Sequence, residues 1–237
     1  MLQQINLRCD TISEREEQFL KVLLMYDLII KNGLIYDGKG GRPFKADIAI
    51  LEEKIVSVGS IKGESKKTID ASGRIVTPGF VDIHTHYDGQ VTWDPYLRPS
   101  TYHGVTTVVM GNCGVGFSPC KPDQRDWLIG LMEGVEDIPG TALHEGIDWE
   151  WESFPEYLDA LEKKPLAIDV GTQIAHGAVR AYVMGERGIN HEEATEEEIK
   201  KMKQIVKEAI EAGAYGFSTS RTEKHNDVNG NLTPSIT

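Results

Sequence analysis

The sequence predicts an α/β chain made of two unlike parts, and three observations carry that prediction. Residues 26 to 70 read as short strands joined by tight turns. From Gly79 onward, strands alternate with helices, the pattern of parallel βα units. The first strand of the second part, Gly79-Phe80-Val81-Asp82-Ile83-His84-Thr85-His86, ends in two histidines one residue apart.

Residues 1–25 differ in character from the rest of the chain and are expected to be an N-terminal extension. Ser13-Glu14-Arg15-Glu16-Glu17-Gln18 is charged, and a short helix with Phe19, Leu20 and Leu23 on one side fits the stretch before Met25. Met25 is expected to be the natural start, with a helix packed on the domain as the alternative. Residues 26–78 form the next expected domain. Leu28-Ile29-Ile30 and Leu34-Ile35-Tyr36 flank Asn32-Gly33, a strong hairpin sequence. Asp47-Ile48-Ala49-Ile50-Leu51 and Lys54-Ile55-Val56-Ser57-Val58 flank a polar turn at Glu52-Glu53. This all-β unit has few chemically promising residues and reads as scaffold.

Residues 79–237 carry the chemistry. Val105 to Met110, Ala167 to Gly171 and Ala214 to Ser218 are expected to be the second, third and fourth strands. Ser153-Phe154-Pro155-Glu156 reads as a capping box opening a helix that stops at Pro165. Thr195-Glu196-Glu197-Glu198 opens another, with Ile199, Met202, Ile205, Val206, Ala209 and Ile210 at helical spacing and Gly213 as its end. Glu196 with Lys200 and Glu197 with Lys201 make i,i+4 pairs that explain the acidic run structurally.

Composition narrows the function. With 237 residues and 40% hydrophobic content, the chain can bury a sizeable core. Lys+Arg 25 against Asp+Glu 37 gives a net charge of −12, which argues against nucleic acid or an anionic membrane as partner. No run is apolar enough to span a bilayer, and residues 1–25 lack the order of a signal peptide. Cys9, Cys113 and Cys120 are too few and odd in number for a disulfide framework. A soluble cytoplasmic protein fits best.

Alternation along a strand turns His84 and His86 the same way and Thr85 the other. Their Cα atoms are then about 6–7 Å apart, so both imidazoles can converge on one metal ion. The second strand ends in Met110-Gly111-Asn112-Cys113-Gly114, and in parallel βα folds functional groups gather at these C-terminal ends. A Cys113 thiolate there is a good zinc donor; a buried, inert cysteine is the alternative. At the third strand's end, His176 can face the same site or support the loop, and Arg180 can clamp a carboxylate. Ser218-Thr219-Ser220-Arg221 forms a polar rim, suited to substrate or simply to solvent. His103, His144, His191 and His225 read as surface or loop residues. The stretch from His144 to Trp151 is either a substrate loop or a packed pair of tryptophans.

Residues 26–237 resemble the amidohydrolase superfamily and, within it, the N-acyl-D-amino-acid deacylases. Asp27-Leu28-Ile29-Ile30-Lys31-Asn32-Gly33 and the run from Asp70 to His86 carry the superfamily likeness, and Gly111-Asn112-Cys113-Gly114 the narrower one. The resemblance implies a small β-sandwich, to which residues 26–78 contribute, and a (β/α)8 barrel whose first four βα units are residues 79–237. It implies His84, His86 and Cys113 as ligands of one or two zinc ions, and an amidase that cleaves N-acyl-D-amino acids. The general-base aspartate and further histidines are expected beyond residue 237, so the chain reads as a truncated N-terminal half. Open barrel edges then imply self-association. The alternatives are a non-catalytic half-barrel fragment and a cyclic-amide hydrolase of hydantoinase or dihydroorotase type.

Overall fold

The computed structural model describes residues 25–234. The expected N-terminal helix, Cys9 and the last three residues of the chain lie outside them. The chain divides into two compact units, Met1–Pro78 and Gly79–Thr237.

The described part of the first unit is a single mixed sheet. Its strands are β1 (Tyr26–Ile35), β2 (Phe44–Leu51), β3 (Lys54–Gly59), β4 (Ser65–Asp70) and β5 (Ile75–Val76). The order is β3-β2-β1-β4, with β5 continuing beside β1. β2 runs antiparallel to β1 and β3, whereas β4 and β5 run parallel to β1. Ile29, Ile35, Ile48, Ala49 and Ala71 are the buried apolar residues of this part.

Asn32-Gly33 does not make the expected hairpin. β1 runs straight through it, and the register to β2 shifts between Ile30 and Gly33. Asn32 takes φ 61°, the left-handed region that Asn tolerates. Its backbone N–H donates to Asp47 Oδ1 at 2.8 Å, and its side chain donates to Asp70 Oδ1 at 3.0 Å. Those two carboxylates make a bulge the better use of the same sequence. The polar turn at Glu52-Glu53 forms as expected between β2 and β3.

The second unit opens with three parallel strands in the order β6-β7-β8: β6 (Phe80–Asp82), β7 (Val105–Met110) and β8 (Asp169–Thr172). The fourth expected strand, β10 (Phe217–Ser218), pairs in parallel with the short β9 (Ile174–Ala175). Six α-helices lie among the described residues: α1 (Arg125–Glu136), α2 (Gly140–Gly146), α3 (Phe154–Glu162), α4 (His176–Met184), α5 (Glu186–Ile189) and α6 (Glu196–Ala212).

Both predicted capping boxes form. Ser153 Oγ accepts from Glu156 N–H at the start of α3, and Thr195 Oγ1 from Glu198 N–H at the start of α6. Gly213 closes α6, its N–H reaching the carbonyls of Ala209 and Ile210. Val108, Met110, Leu131, Met132, Phe154, Tyr157, Ile174 and Ala178 share one buried cluster, which fixes β7 against the helices. The predicted apolar face of α6 is only partly covered: Ile199 and Ile210 stay exposed. β6 departs further from the buried strand that the sequence predicts, because Phe80 is 59% and Ile83 73% exposed. No helix among the described residues is long and apolar enough to cross a membrane.

Candidate metal centre

β6 stops at Asp82, and its carboxylate accepts from His84 N–H at 3.2 Å, bending the chain out of the strand. Thr85 then anchors the segment. Its N–H and its hydroxyl both donate to Val109 O of β7, each at 2.9 Å. With Thr85 held inward, His84 and His86 project to the other side, ring centroids 5.4 Å apart. The alternation read from the sequence therefore survives, although both histidines lie beyond the strand proper.

β7 delivers the third donor. Past Met110 the backbone turns left-handed at Gly111 (φ 74°), Cys113 (φ 55°) and Gly114 (φ 74°). Asn112 braces this turn against the histidine segment, its amide donating to Thr85 O and Val109 O. Gln173 donates to Asn112 Oδ1 at 2.8 Å. From β10, Ser218 Oγ accepts from Gly114 N–H and donates to Gly111 O in a short hydrogen bond. Four strand ends are thus tied to the one turn that carries Cys113.

Cys113 Sγ lies 3.2 Å from His84 Nε2. One donor atom from each of His84, His86 and Cys113 falls within 4.8 Å of the others. Two imidazole nitrogens and a sulfur at that spacing fit a borderline cation such as zinc better than Mg2+ or Ca2+, which take oxygen. Buried atoms without partners strengthen the fit. His86 Nδ1 and Asp88 Oδ2 have no hydrogen-bond partner.

Electrostatics point the same way. Burial, and then the charges of His84 and His225, lower the pKa of His86 to about 4, so its imidazole is neutral at pH 7 and has a lone pair to give. Burial, and then Glu136 and Asp88, push the Cys113 thiol up. Asp88 and Glu136 are each raised to about 7, chiefly by burial. Four neighbouring groups are thus held toward their neutral forms, and a divalent cation supplies the charge that would favour both thiolate and carboxylates. Cys120, by contrast, is fully buried and raised to about 12, an inert thiol.

The remaining candidates fall elsewhere. Arg180 is buried and donates to the carbonyls of Gly188 and Glu192, so its guanidinium pins α5 and the turn after it instead of facing outward for a carboxylate. His176 opens α4, where Nδ1 lies 3.0 Å from Thr219 Oγ1 and the ring sits 5.4 Å from that of Phe217. It also lines an apolar hollow of about 370 Å³ with Val179, Met202 and Val206. The tryptophan stretch is packing: Trp151 is buried, donates to Phe117 O, and meets Trp149 and Tyr157 in tilted ring contacts.

Sequence reading missed two residues of the centre. Glu136, at the end of α1, brings Oε1 within 3.2 Å of His86 Nε2. His225, read as a loop residue, has a buried, unpartnered Nδ1 and acts electrostatically on His86. Neither carries a local motif, and only the packing of α1 and of the loop at residues 225–233 against it could have found them.

Comparison with known proteins gives the family of the chain. Residues 67–234 match the Amidohydrolase family. The chain belongs to that family. It is 34% identical over 195 residues to the D-aminoacylase of Alcaligenes xylosoxydans xylosoxydans, covering 82% of this chain and 37% of that one. An N-acyl-D-aspartate deacylase of the same organism is 33% identical over 194 residues, 81% of this chain and 36% of that one. Among solved structures, the N-acyl-D-glutamate deacylase of Bordetella bronchiseptica, complexed with zinc and a phosphonate inhibitor, superposes with a TM-score of 0.69 at 32% identity. That match covers 82% of this chain and 38% of the deacylase. The mixed α/β fold is therefore that of the D-aminoacylase type of amidohydrolase, and the chain spans somewhat over a third of the length of these relatives.

Proposed function

We propose that this amidohydrolase chain contributes the metal-binding strand ends of a zinc-dependent amidase acting on N-acyl-D-amino acids. The convergence of His84, His86 and Cys113 within 4.8 Å carries the reading. Relatives named D-aminoacylase and N-acyl-D-aspartate deacylase supply the substrate class. In this reading, residues 26–78 form one layer of a small β-sandwich. Residues 79–237 form the first four βα units of an eight-stranded barrel, supported by the parallel β6-β7-β8 sheet and the donors at its C-terminal ends.

When bound, zinc lowers the pKa of a coordinated water toward neutrality and polarises the scissile carbonyl. The chain's own residues prepare for that. His84, His86 and Cys113 would hold the ion, and a neutral His86 offers its lone pair without first losing a proton. Thr85, Asn112 and Ser218 fix the two loops that present these donors. Locked supporting residues keep a site within the fraction of an ångström that catalysis needs.

The test is an assay of the protein with zinc. N-acyl-D-amino acids, N-acyl-L-amino acids and hydantoins are compared. Cleavage of the N-acyl-D compounds, at least 100-fold faster than the L compounds and abolished by chelation, is the expected result. Cleavage of hydantoins alone would move the assignment to the cyclic-amide hydrolases, and no metal-dependent hydrolysis would favour the non-catalytic reading.

A further inference from the structure

The strands of the second unit leave two free edges. Among the described residues, β6 pairs only with β7 and β10 only with β9, each in parallel. The outer side of each keeps a row of backbone donors and acceptors open. Phe80 and Val81 of β6 are each 59% exposed, and Ile83 just past it is 73% exposed. At the other edge, Tyr215 is 71% and Phe217 43% exposed. Lysine and proline commonly blunt an edge strand, and neither Phe80-Val81 nor Tyr215-Gly216-Phe217-Ser218 contains them.

We infer that two copies of this chain close one barrel: the free edge of β6 in one copy takes the free edge of β10 in the other, twice over about a two-fold axis. The inference rests on reading residues 79–237 as four barrel strands with their helices, and not on the metal.

Strand direction supports it first. β6, β7 and β8 run parallel, and so do β9 and β10. A two-fold axis along the barrel leaves every strand pointing the same way, so both junctions between copies are parallel as well. Four strands from each copy make eight, a number whose interior the side chains can fill. The open area agrees. At these exposures the five side chains leave roughly 600 Å² open per copy, with about 150–250 Å² for each whole residue. Two copies would bury about 1,200 Å², the lower end for a specific interface. Beside Phe217, the apolar hollow of about 370 Å³ carries Met202, Val206 and the exposed Ile199, a seat for apolar side chains arriving with the neighbour's β6. Closure would bring the C-terminal strand ends of both copies to one mouth, so that two sets of His84, His86 and Cys113 would face it.

The test is the mass of the whole chain by sedimentation equilibrium, with and without chelator. Salt of about 0.15 M screens the repulsion between two chains of net charge −12. A dimer is expected at about 10 μM protein, since interfaces of this size bind at micromolar or tighter. Val81→Glu and Phe217→Glu are each expected to weaken it about 10-fold or more, the cost of burying an unpaired carboxylate. Circular dichroism checks that the variants fold, and the wild-type mass is a test by itself should one fail. A monomeric wild type would overturn the proposal, whether an apolar-surface dye finds the edges open or finds them covered by another segment of the chain. So would an open-ended series of larger assemblies, or a dimer that only one of the two variants weakens, because like edges would then pair. A dimer that binds no zinc would support closure while sinking the metal reading, and a monomer that binds zinc would do the reverse.

Discussion

Cys113→Ser is expected to weaken zinc binding by roughly a hundredfold or more while leaving the fold in place. Structural zinc sites are worth about 10–16 kcal/mol, so each of four donors supplies about 3 kcal/mol. Exchanging thiolate for a hydroxyl loses most of one share, and about 1.4 kcal/mol is a factor of ten. The fold is spared because Sγ is not what holds the turn. Gly111, Asn112 and Gly114 are fixed by their own hydrogen bonds to Ser218, Thr85 and Val109, and Cys113 is only half-buried. Competition titration reads the affinity, and far-ultraviolet circular dichroism checks the fold. Unchanged affinity would remove Cys113 from the site.

Gly111→Ala is expected to cost more than about 3 kcal/mol of stability, among the largest single effects the chain offers. Two costs add. At φ 74° a side chain pays roughly 1–2 kcal/mol for the left-handed conformation. The added methyl would also lie 2.0 Å from Gln173 O, a backbone atom. Relief by moving Gln173 is blocked, since its N–H pairs with Met110 O at 3.0 Å and the next residue belongs to β9. Urea denaturation checks the prediction, and a loss under about 1 kcal/mol would show the turn to be softer than its contacts imply.

What the sequence discloses is local. The ends of α3 and α6 are readable because Ser153 with Glu156, and Thr195 with Glu198, contain the whole cap within four residues. The shared direction of His84 and His86 is readable because alternation needs no tertiary information. Asn32-Gly33 misleads because a hairpin and a bulge ask for the same residues. The deciding acceptors, Asp47 and Asp70, come from other strands. Arg180 is equally ambiguous: nothing near it says whether carbonyls or a substrate will receive its donors, and the carbonyls of Gly188 and Glu192 do. Glu136 and His225 are illegible for the same reason. One sits at the end of a helix and the other in a loop, and the approach of Glu136 to His86, like the charge effect of His225 on it, is a product of packing alone.

The proposed hold of His84, His86 and Cys113 on a divalent cation is tested most directly by titrating the metal-free protein with Co2+ and recording its absorption spectrum. Cobalt takes zinc's place in such sites and reports its ligands by colour. The structure predicts a near-ultraviolet sulfur-to-cobalt charge-transfer band that saturates with added metal, is displaced by zinc, and is lost in Cys113→Ser. A spectrum with no such band, or a band that persists in Cys113→Ser, would contradict it.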